Sequence, residues 1–271
     1  MDEIKLGIIG VGNIGSSIAN GLLWSGFKGR IILCDKHPEK VENFHSDFVE
    51  VVSEAALATG KSDVIILAVK PHAVKDAIAE IGSSIKGKLL ISLAAGITLG
   101  ELEGLAKGAR ICRVMPNVNC KVLEGAMAYA ISGTITETDH QAIREIFGRL
   151  GTLIKVKENQ IDIITAACAS SPAYVFLIIQ KLKEILEENG IDSDSAQKLA
   201  AQAVAGSGKM VLESELTPPE LINVVKTKGG KTEAGLKILE KRNFAAVLEE
   251  AIKAADKRAK ELKIGLQNLQ K

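Results

Sequence analysis

The chain lacks most of the patterns that announce metal, disulfide or polyanion chemistry. Its four cysteines, Cys34, Cys112, Cys120 and Cys168, show no C-x-x-C spacing. That excludes a zinc ribbon or a disulfide framework and fits reduced intracellular thiols. Four histidines, His37, His45, His72 and His140, form no triad-like pattern with serine and aspartate, so they read as surface or packing residues. Charge of one sign is also missing: 34 Lys plus Arg stand against 33 Asp plus Glu, a net charge of +1. No global field therefore draws nucleic acid or anionic lipid. The carboxylates fall mainly beside lysine on helical faces, as at Lys183, Glu184, Glu187 and Glu188, which is a solvated face and no metal constellation. Internal repeats and low-complexity tracts are absent.

A secretory leader is missing as well, since Met1-Asp2-Glu3 runs straight into an apolar strand pattern, and the expectation is a cytoplasmic protein. One stretch, Ile161 to Gln180, carries a single charge, Asp162, over roughly the length of a membrane span. Ser170, Ser171, Pro172 and many alanines favour a buried interdomain helix there instead.

What is present is a 271-residue chain, 46% hydrophobic, long enough for one large or two ordinary domains. Up to residue 158, short β-branched runs alternate with helical patterns. The runs are Lys5–Gly10, Arg30–Cys34, Val64–Val69, Leu89–Leu93, Arg110–Val114, Ala126–Ile131 and Leu153–Val156. This alternation predicts an α/β, doubly wound parallel sheet of the Rossmann type over residues 1–158. Residues 159–271 read as all-α, with helices over Gln160–Asn189, Asp194–Glu213, Pro218–Val225, Lys231–Glu240 and Phe244–Leu262. Several of these, such as Ala200 to Gly206, are small and apolar around most of their circumference. So few residues struggle to bury such surface alone, which predicts a homodimer through the helical domain.

The first strand ends in Gly10-Val11-Gly12-Asn13-Ile14-Gly15, directly before a helical stretch. In that setting Gly10 permits the tight turn, Gly12 lets a pyrophosphate approach the backbone, and Gly15 lets helix and strand pack closely. The amides of Asn13 and Ile14 at the helix start then face phosphate. Asp35 ends the second strand, where a carboxylate accepts from the adenine ribose hydroxyls and disfavours a 2′-phosphate, a lean toward NADH over NADPH. Lys36 and His37 follow it and offer the opposite charge. Ala68-Val69-Lys70-Pro71, Ala94-Ala95-Gly96 and Arg113-Val114-Met115-Pro116-Asn117 each close a strand with small or rigid residues at the sheet edge, the place where cofactors bind in this architecture.

Two further motifs, Ser170-Ser171-Pro172-Ala173-Tyr174 and Gly206-x-x-Lys209-Met210, precede a late loop, Gly229-Gly230-Lys231-Thr232. The whole series, in this order, resembles the pyrroline-5-carboxylate reductases. The resemblance implies a proline-forming enzyme that reduces a cyclic imine carboxylate with NAD(P)H, built as a Rossmann domain plus a helical dimerisation domain. It also implies that the Gly229, Gly230, Lys231 and Thr232 loop holds substrate, with Thr232 near the imine as the catalytic hydrogen-bonding group. Glu215 matches a substrate-side glutamate, and Asp35 a cofactor contact. Thr232 also reads as the N-cap of the helix that follows. Hydride transfer to a protonated imine needs a hydrogen-bond donor and carboxylate anchors more than a tuned histidine.

Departures from the family pattern gather around the substrate motifs. Lys228 stands where proline precedes the two glycines, Lys226 and Lys231 replace small or hydroxyl residues, Cys168-Ala169-Ser170 stands for Ser-Gly-Ser, and Val118-Asn119 for Thr-Pro. Two alternatives stay open on these residues. One is a reductase of a more anionic cyclic imine or keto acid, because lysines strengthen anion binding. The other is a cofactor-binding regulator akin to a competence-associated branch. A β-hydroxyacid dehydrogenase is disfavoured by the absence of Lys-x-x-x-Asn, since Lys181 leads to Ile185 and Lys183 to Glu187.

Overall fold

The computed structural model describes residues 3–269, with side chains through Glu261. The described chain forms two compact units, one running to Ser170 and resuming at Ala255, the other Ser171–Ala254.

The first unit contains β1 (Lys5–Ile9), α1 (Asn13–Trp24), β2 (Arg30–Cys34), β3 (Val49–Val51), α2 (Ala55–Gly60), β4 (Val64–Leu67), α3 (Val74–Ile81) and β5 (Leu89–Ser92). It continues with α4 (Leu99–Leu105), β6 (Arg110–Met115), β7 (Gly125–Ile131), α5 (Glu137–Phe147), β8 (Gly151–Lys155) and α6 (Ile161–Ile164). The eight strands lie in the order β3-β2-β1-β4-β5-β6-β7-β8. Alternate residues feed opposite faces. Ile32, Cys34, Ile65, Leu67 and Leu90 join one core with α2, α3 and α4, while Ile31, Leu33, Val64, Ile66, Leu89 and Ile91 join another with α1 and α5. Burial on both faces explains why these strands read as continuous apolar runs. Each fully buried Leu or Ile contributes roughly 1.5–3 kcal/mol.

The sheet differs from the sequence expectation in two places. The strand β3 has no run of its own, because three residues, Val49-Glu50-Val51, are too short for a period to register. More consequentially, β7 pairs with β6 antiparallel, although β8 pairs with β7 in parallel. The connection Pro116–Glu124 holds only the short 3₁₀ turn Val118–Val122, too little chain for the dozen or so residues a parallel crossover needs. Across this edge Arg110 grips Asp139 with Nε at 2.6 Å and Nη2 at 2.9 Å. Asp139 in turn closes the capping box of α5 with Thr136, so one carboxylate fixes both a strand and a helix start.

The expected continuous helix from Gln160 is broken after α6 by a π turn, Thr165–Ala169, before α7 (Ser171–Glu188) begins. Pro172 has no N–H to give and crowds the preceding turn. The widened turn, with Ser170 N donating to Thr165 O at 3.2 Å, leaves the Cys168 carbonyl to accept from Asn117 Nδ2 at 3.2 Å.

The second unit is helical: α7, α8 (Ser193–Glu213), α9 (Pro218–Val225), α10 (Lys231–Lys241) and the start of α11 (Phe244–Leu269). The α11 span runs past the expected Leu262. Asp192 caps α8 by accepting from Ser195 N at 3.0 Å, and Thr217 with Glu220 forms the capping box of α9, with Pro218 as its first residue. Burial within this unit is slight: in α7 only Pro172 is buried, in α8 only Ala196 and Ala200. The expectation that α7 is enclosed within the chain is therefore corrected, since Phe176 is 56% and Leu177 70% exposed. Among the described residues one helical stretch, residues 158–188, is long and apolar enough to cross a membrane.

Candidate active site

Site residues of the first unit gather at the carboxyl ends of β1, β2 and β4, where the strand order reverses and ligands bind in such sheets. Gly10 has φ +94°, and a Cβ there would lie 2.9 Å from the Ala68 carbonyl and the Val69 nitrogen. A Cβ on Gly15 would collide with the Gly10 carbonyl. Gly12, by contrast, meets nothing within 4 Å: the turn is packed on its inner side and open on its outer side. Gly12 is also the N-cap of α1, with no side-chain cap and no acidic residue in the first turn. The amides of Asn13, Ile14 and Gly15 thus have no helical partner and carry the positive end of the helix dipole.

A cavity of about 390 Å³ adjoins this turn, lined by Gly10, Gly12, Asp35, Ala68, Val69 and Lys70 among others. Its outer wall carries Lys36, His37 and Lys40; Lys40 had no signal in the sequence, because only the fold of the Pro38–Lys40 turn brings it back over Asp35. The Asp35 side chain is only 7% exposed. It accepts from Val11 N at 2.7 Å, His37 N at 2.9 Å and Lys40 Nζ at 3.2 Å. Burial alone would raise its pKa, but these donors outweigh burial and hold the carboxyl below its ordinary value. Asp35 therefore has a structural task the sequence did not disclose: it pins the glycine turn to the end of β2. Cys34 lines the same cavity, where burial and the nearby carboxylates of Glu80, Asp35 and Glu54 push its thiol up to about 11. It is a neutral wall and no nucleophile.

A second cavity, of about 310 Å³, is lined by Pro71, Ala95, Thr165, Ala166 and Ser170, together with Ala255, Arg258 and Ala259 of α11. Lys70 and Pro71 are chain neighbours that fall on different cavities, so the two lie on either side of the end of β4. Ala94 is buried in the core, and Gly96 turns the chain with φ +77°. Arg113, 3% exposed, reaches Glu158 with Nη1 at 2.9 Å. The same carboxylate accepts from Leu99 N at 2.6 Å, which ties the sheet edge to the approach to α6.

The remaining sequence-derived residues belong to the second unit. Gly229 has φ +72° and donates its N–H to Glu233 Oε2 at 2.6 Å. A Cβ on Gly230 would collide with the Thr227 hydroxyl. The N-cap of α10 is Gly230, with Lys231 and Thr232 as its first two residues. The N-cap reading of Thr232 is thus corrected: the cap lies two residues earlier, at Gly230, whose N–H donates to the Thr227 carbonyl at 2.9 Å. Lys226, Lys228 and Lys231 are exposed, as is Glu215 in the bend between α8 and α9. Among the described residues no three His, Cys, Asp or Glu side chains gather as metal ligands would.

An open glycine turn at the switch point of a largely parallel sheet, followed by a helical unit, defines a nucleotide-binding oxidoreductase scaffold. Comparison with known proteins narrows the class. Residues 5–96 match the family model described as NADP oxidoreductase, coenzyme F420-dependent, and residues 158–262 match pyrroline-5-carboxylate reductase dimerisation. A pyrroline-5-carboxylate reductase of Arabidopsis thaliana is 36% identical, over 96% of each chain. Among solved structures, the pyrroline carboxylate reductase of Plasmodium falciparum with NADP bound is similar, with a TM-score of 0.86 at 30% identity, over 97% of this chain and 99% of that one. The Coxiella burnetii pyrroline-5-carboxylate reductase gives 0.85 at 33% identity, over 96% and 99%. The chain belongs to the pyrroline-5-carboxylate reductase family.

Proposed function

We propose that this protein reduces 1-pyrroline-5-carboxylate to proline with NAD(P)H, acting as a soluble cytoplasmic homodimer. The observation that carries the reading is the glycine turn, packed at Gly10 and Gly15 and open at Gly12. The space a Cβ would fill at Gly12 is the approach a pyrophosphate needs. When bound, the nicotinamide supplies a hydride to the imine carbon while the ring nitrogen keeps its proton, so that C=N becomes CH–NH.

The chain's own groups bind and orient. Gly10, Gly12, Asn13, Ile14 and Gly15 offer the phosphate cradle; Asp35, Ala68, Val69 and Lys70 wall the adenosine end, and Pro71, Ala94, Ala95 and Gly96 the nicotinamide end. The family resemblance assigns substrate contacts to Glu215, Gly229, Gly230, Lys231 and Thr232. The Thr232 hydroxyl would hydrogen-bond near the imine nitrogen, and the first turn of α10 offers amides to the carboxylate. Residues 1–158 would then serve the cofactor and residues 159–271 the substrate and the dimer.

NADH is the donor we favour, because the Asp35 carboxylate disfavours a 2′-phosphate. Lys36, His37 and Lys40 act in the opposite sense. The test is oxidation of NADH and NADPH by the purified protein with pyrroline-5-carboxylate, followed by nicotinamide absorbance beside a binding titration of each cofactor. Turnover with the higher kcat/KM for NADH is expected. Cofactor binding without turnover would return the regulatory reading or a more anionic substrate for the lysine-rich loop, and an equal or greater kcat/KM for NADPH would remove the role given to Asp35.

A further inference from the structure

Three donors meet at the Asp35 carboxylate, and they differ in how firmly the fold holds them. Val11 N and His37 N, at 2.7 and 2.9 Å, are backbone groups of the glycine turn and of the chain leaving β2. Lys40 Nζ is the third, at 3.2 Å, and it stands on a flexible stem whose side chain is 39% exposed. Of its three hydrogens one serves Asp35, and among the described residues no other acceptor takes the remaining two. The other cations on this wall are held differently. Lys36 lies 3.8 Å from Glu80 with its side chain 75% exposed, and the His37 ring faces Glu39 at 3.6 Å. Around the cavity Lys36, Lys40 and Lys70 stand against Asp35 and Glu80, so its lining has no excess of negative charge. An Asp35 matched by an ammonium at 3.2 Å repels a phosphate far less than a bare carboxylate in that place.

From this we infer that Lys40 sets the choice between NADH and NADPH: its ammonium offsets Asp35 and takes the 2′-phosphate, which keeps the preference for NADH small. The inference rests on the reading of this cavity as the adenosine end of the cofactor site. A ribose hydroxyl needs only an acceptor, which the Asp35 carboxylate offers. A phosphate brings a charge of about −1.5 to −2 and gains from a cation. Lys40 can serve in both cases, because a single, partly solvated ion pair is easily exchanged. Pro38 opens the 3₁₀ turn Pro38–Lys40 and stiffens its backbone, so the exchange asks only for a turn of the lysine stem. Lys40 is a specificity residue here, with no part in the hydride step.

Specificity is a difference of affinities, so the experiment titrates NADH and NADPH into wild type, Lys40→Gln, Lys40→Arg and Lys36→Gln by nicotinamide fluorescence, with no imine present. For Lys40→Gln the NADPH dissociation constant should rise about tenfold relative to that of NADH. Lys40→Arg, which keeps the charge, should hold the wild-type ratio within about twofold. Lys36→Gln should move the ratio less than Lys40→Gln does. An unchanged ratio in Lys40→Gln, loss of both dinucleotides alike, or an equal shift in Lys36→Gln would overturn the inference. Because the titration needs no imine, a failure to turn over pyrroline-5-carboxylate would count against the reductase reading alone. A wild type that binds neither dinucleotide would sink both.

Discussion

The two units of this molecule use apolar residues in opposite ways. In the first, the strands bury nearly every Leu, Ile and Val on both faces of the sheet, and the helices close over them. In the second, Ser171–Ala254, only Pro172, Ala196 and Ala200 are buried, while Leu177, Leu212, Val224 and Val225 are between 64% and 73% exposed. The first unit contains its own core; the second displays one. So many exposed apolar side chains mark a surface to be covered, and the dimerisation family model lies over the same residues. The comparison teaches that composition alone does not say where a core lies: equally apolar helices become interior or interface according to what packs on them.

The strongest way to break this contrast is to place a charge on each exposed surface. Leu212→Glu, at a residue 73% exposed, should dissociate the proposed dimer, read by sedimentation as a shift to monomer or to aggregate. Trp24→Glu in the first unit, at a residue 67% exposed, should leave the assembly unchanged. If Leu212→Glu stays dimeric, the interface does not include α8.

Next in size are changes that separate the units by function. Thr232→Ala should lower kcat about 10- to 100-fold and leave the NADH dissociation constant intact, since its unit carries no part of the glycine turn. Gly10→Ala should do the reverse: the left-handed backbone and the clash with Ala68 cost about 2–3 kcal/mol and weaken cofactor binding. Wild-type kcat in Thr232→Ala would take that residue out of the mechanism.

A smaller effect sharpens the same contrast through stability. Asp139→Asn keeps the shape but removes the charge that Arg110 grips across β6 and α5. A loss of about 2 kcal/mol is expected, less than for a fully buried pair because Arg110 is 29% exposed. Thermal denaturation against Asp194→Asn, whose partner Lys198 lies equally in water, would measure it; equal midpoints would show the Asp139 pair to be ornamental.

Acid provides the mildest probe. Burial works to raise the Asp139 carboxyl, but Arg110 and the Thr136 amide and hydroxyl more than offset it, so that its folded pKa lies below the ordinary 3.8. Asp35 is depressed likewise. Their contribution is therefore whole above the unfolded value and is lost as the pH falls through the folded values. The midpoint of the wild type should drop as the pH falls below about 4, and that of Asp139→Asn should drop less. Parallel curves for the two proteins would remove Asp139 from the account.

Much of this organisation is legible in the chain. Seven of the strands show as apolar runs, most of them because both of their faces are buried, although β8 is largely exposed, and Pro218, Gly190 and the Gly229-Gly230 pair mark helix boundaries by backbone chemistry alone. The glycine turn was recognisable because its spacing meets a steric demand made within six residues. The three-residue β3 was too short to leave a period, and the antiparallel return of β7 follows from the length of Pro116–Glu124 rather than from any pattern in it. Asp35 was legible as a carboxylate at a strand end, but its bond to Val11 was not. Arg258 carried no signal at all, since its cavity is assembled from segments nearly two hundred positions apart.

The sequence by itself determined the elements, the cradle and the need for a partner, because each depends on local periodicity or on the net excess of apolar surface. Tertiary structure decided which carboxylate is spent on the turn, which carbonyl Pro172 frees for Asn117, and which cation faces the second cavity. Those outcomes turn on contacts between residues remote in the chain, where a hydrogen bond forms only once packing has excluded water and set the distance, and no local pattern encodes that distance.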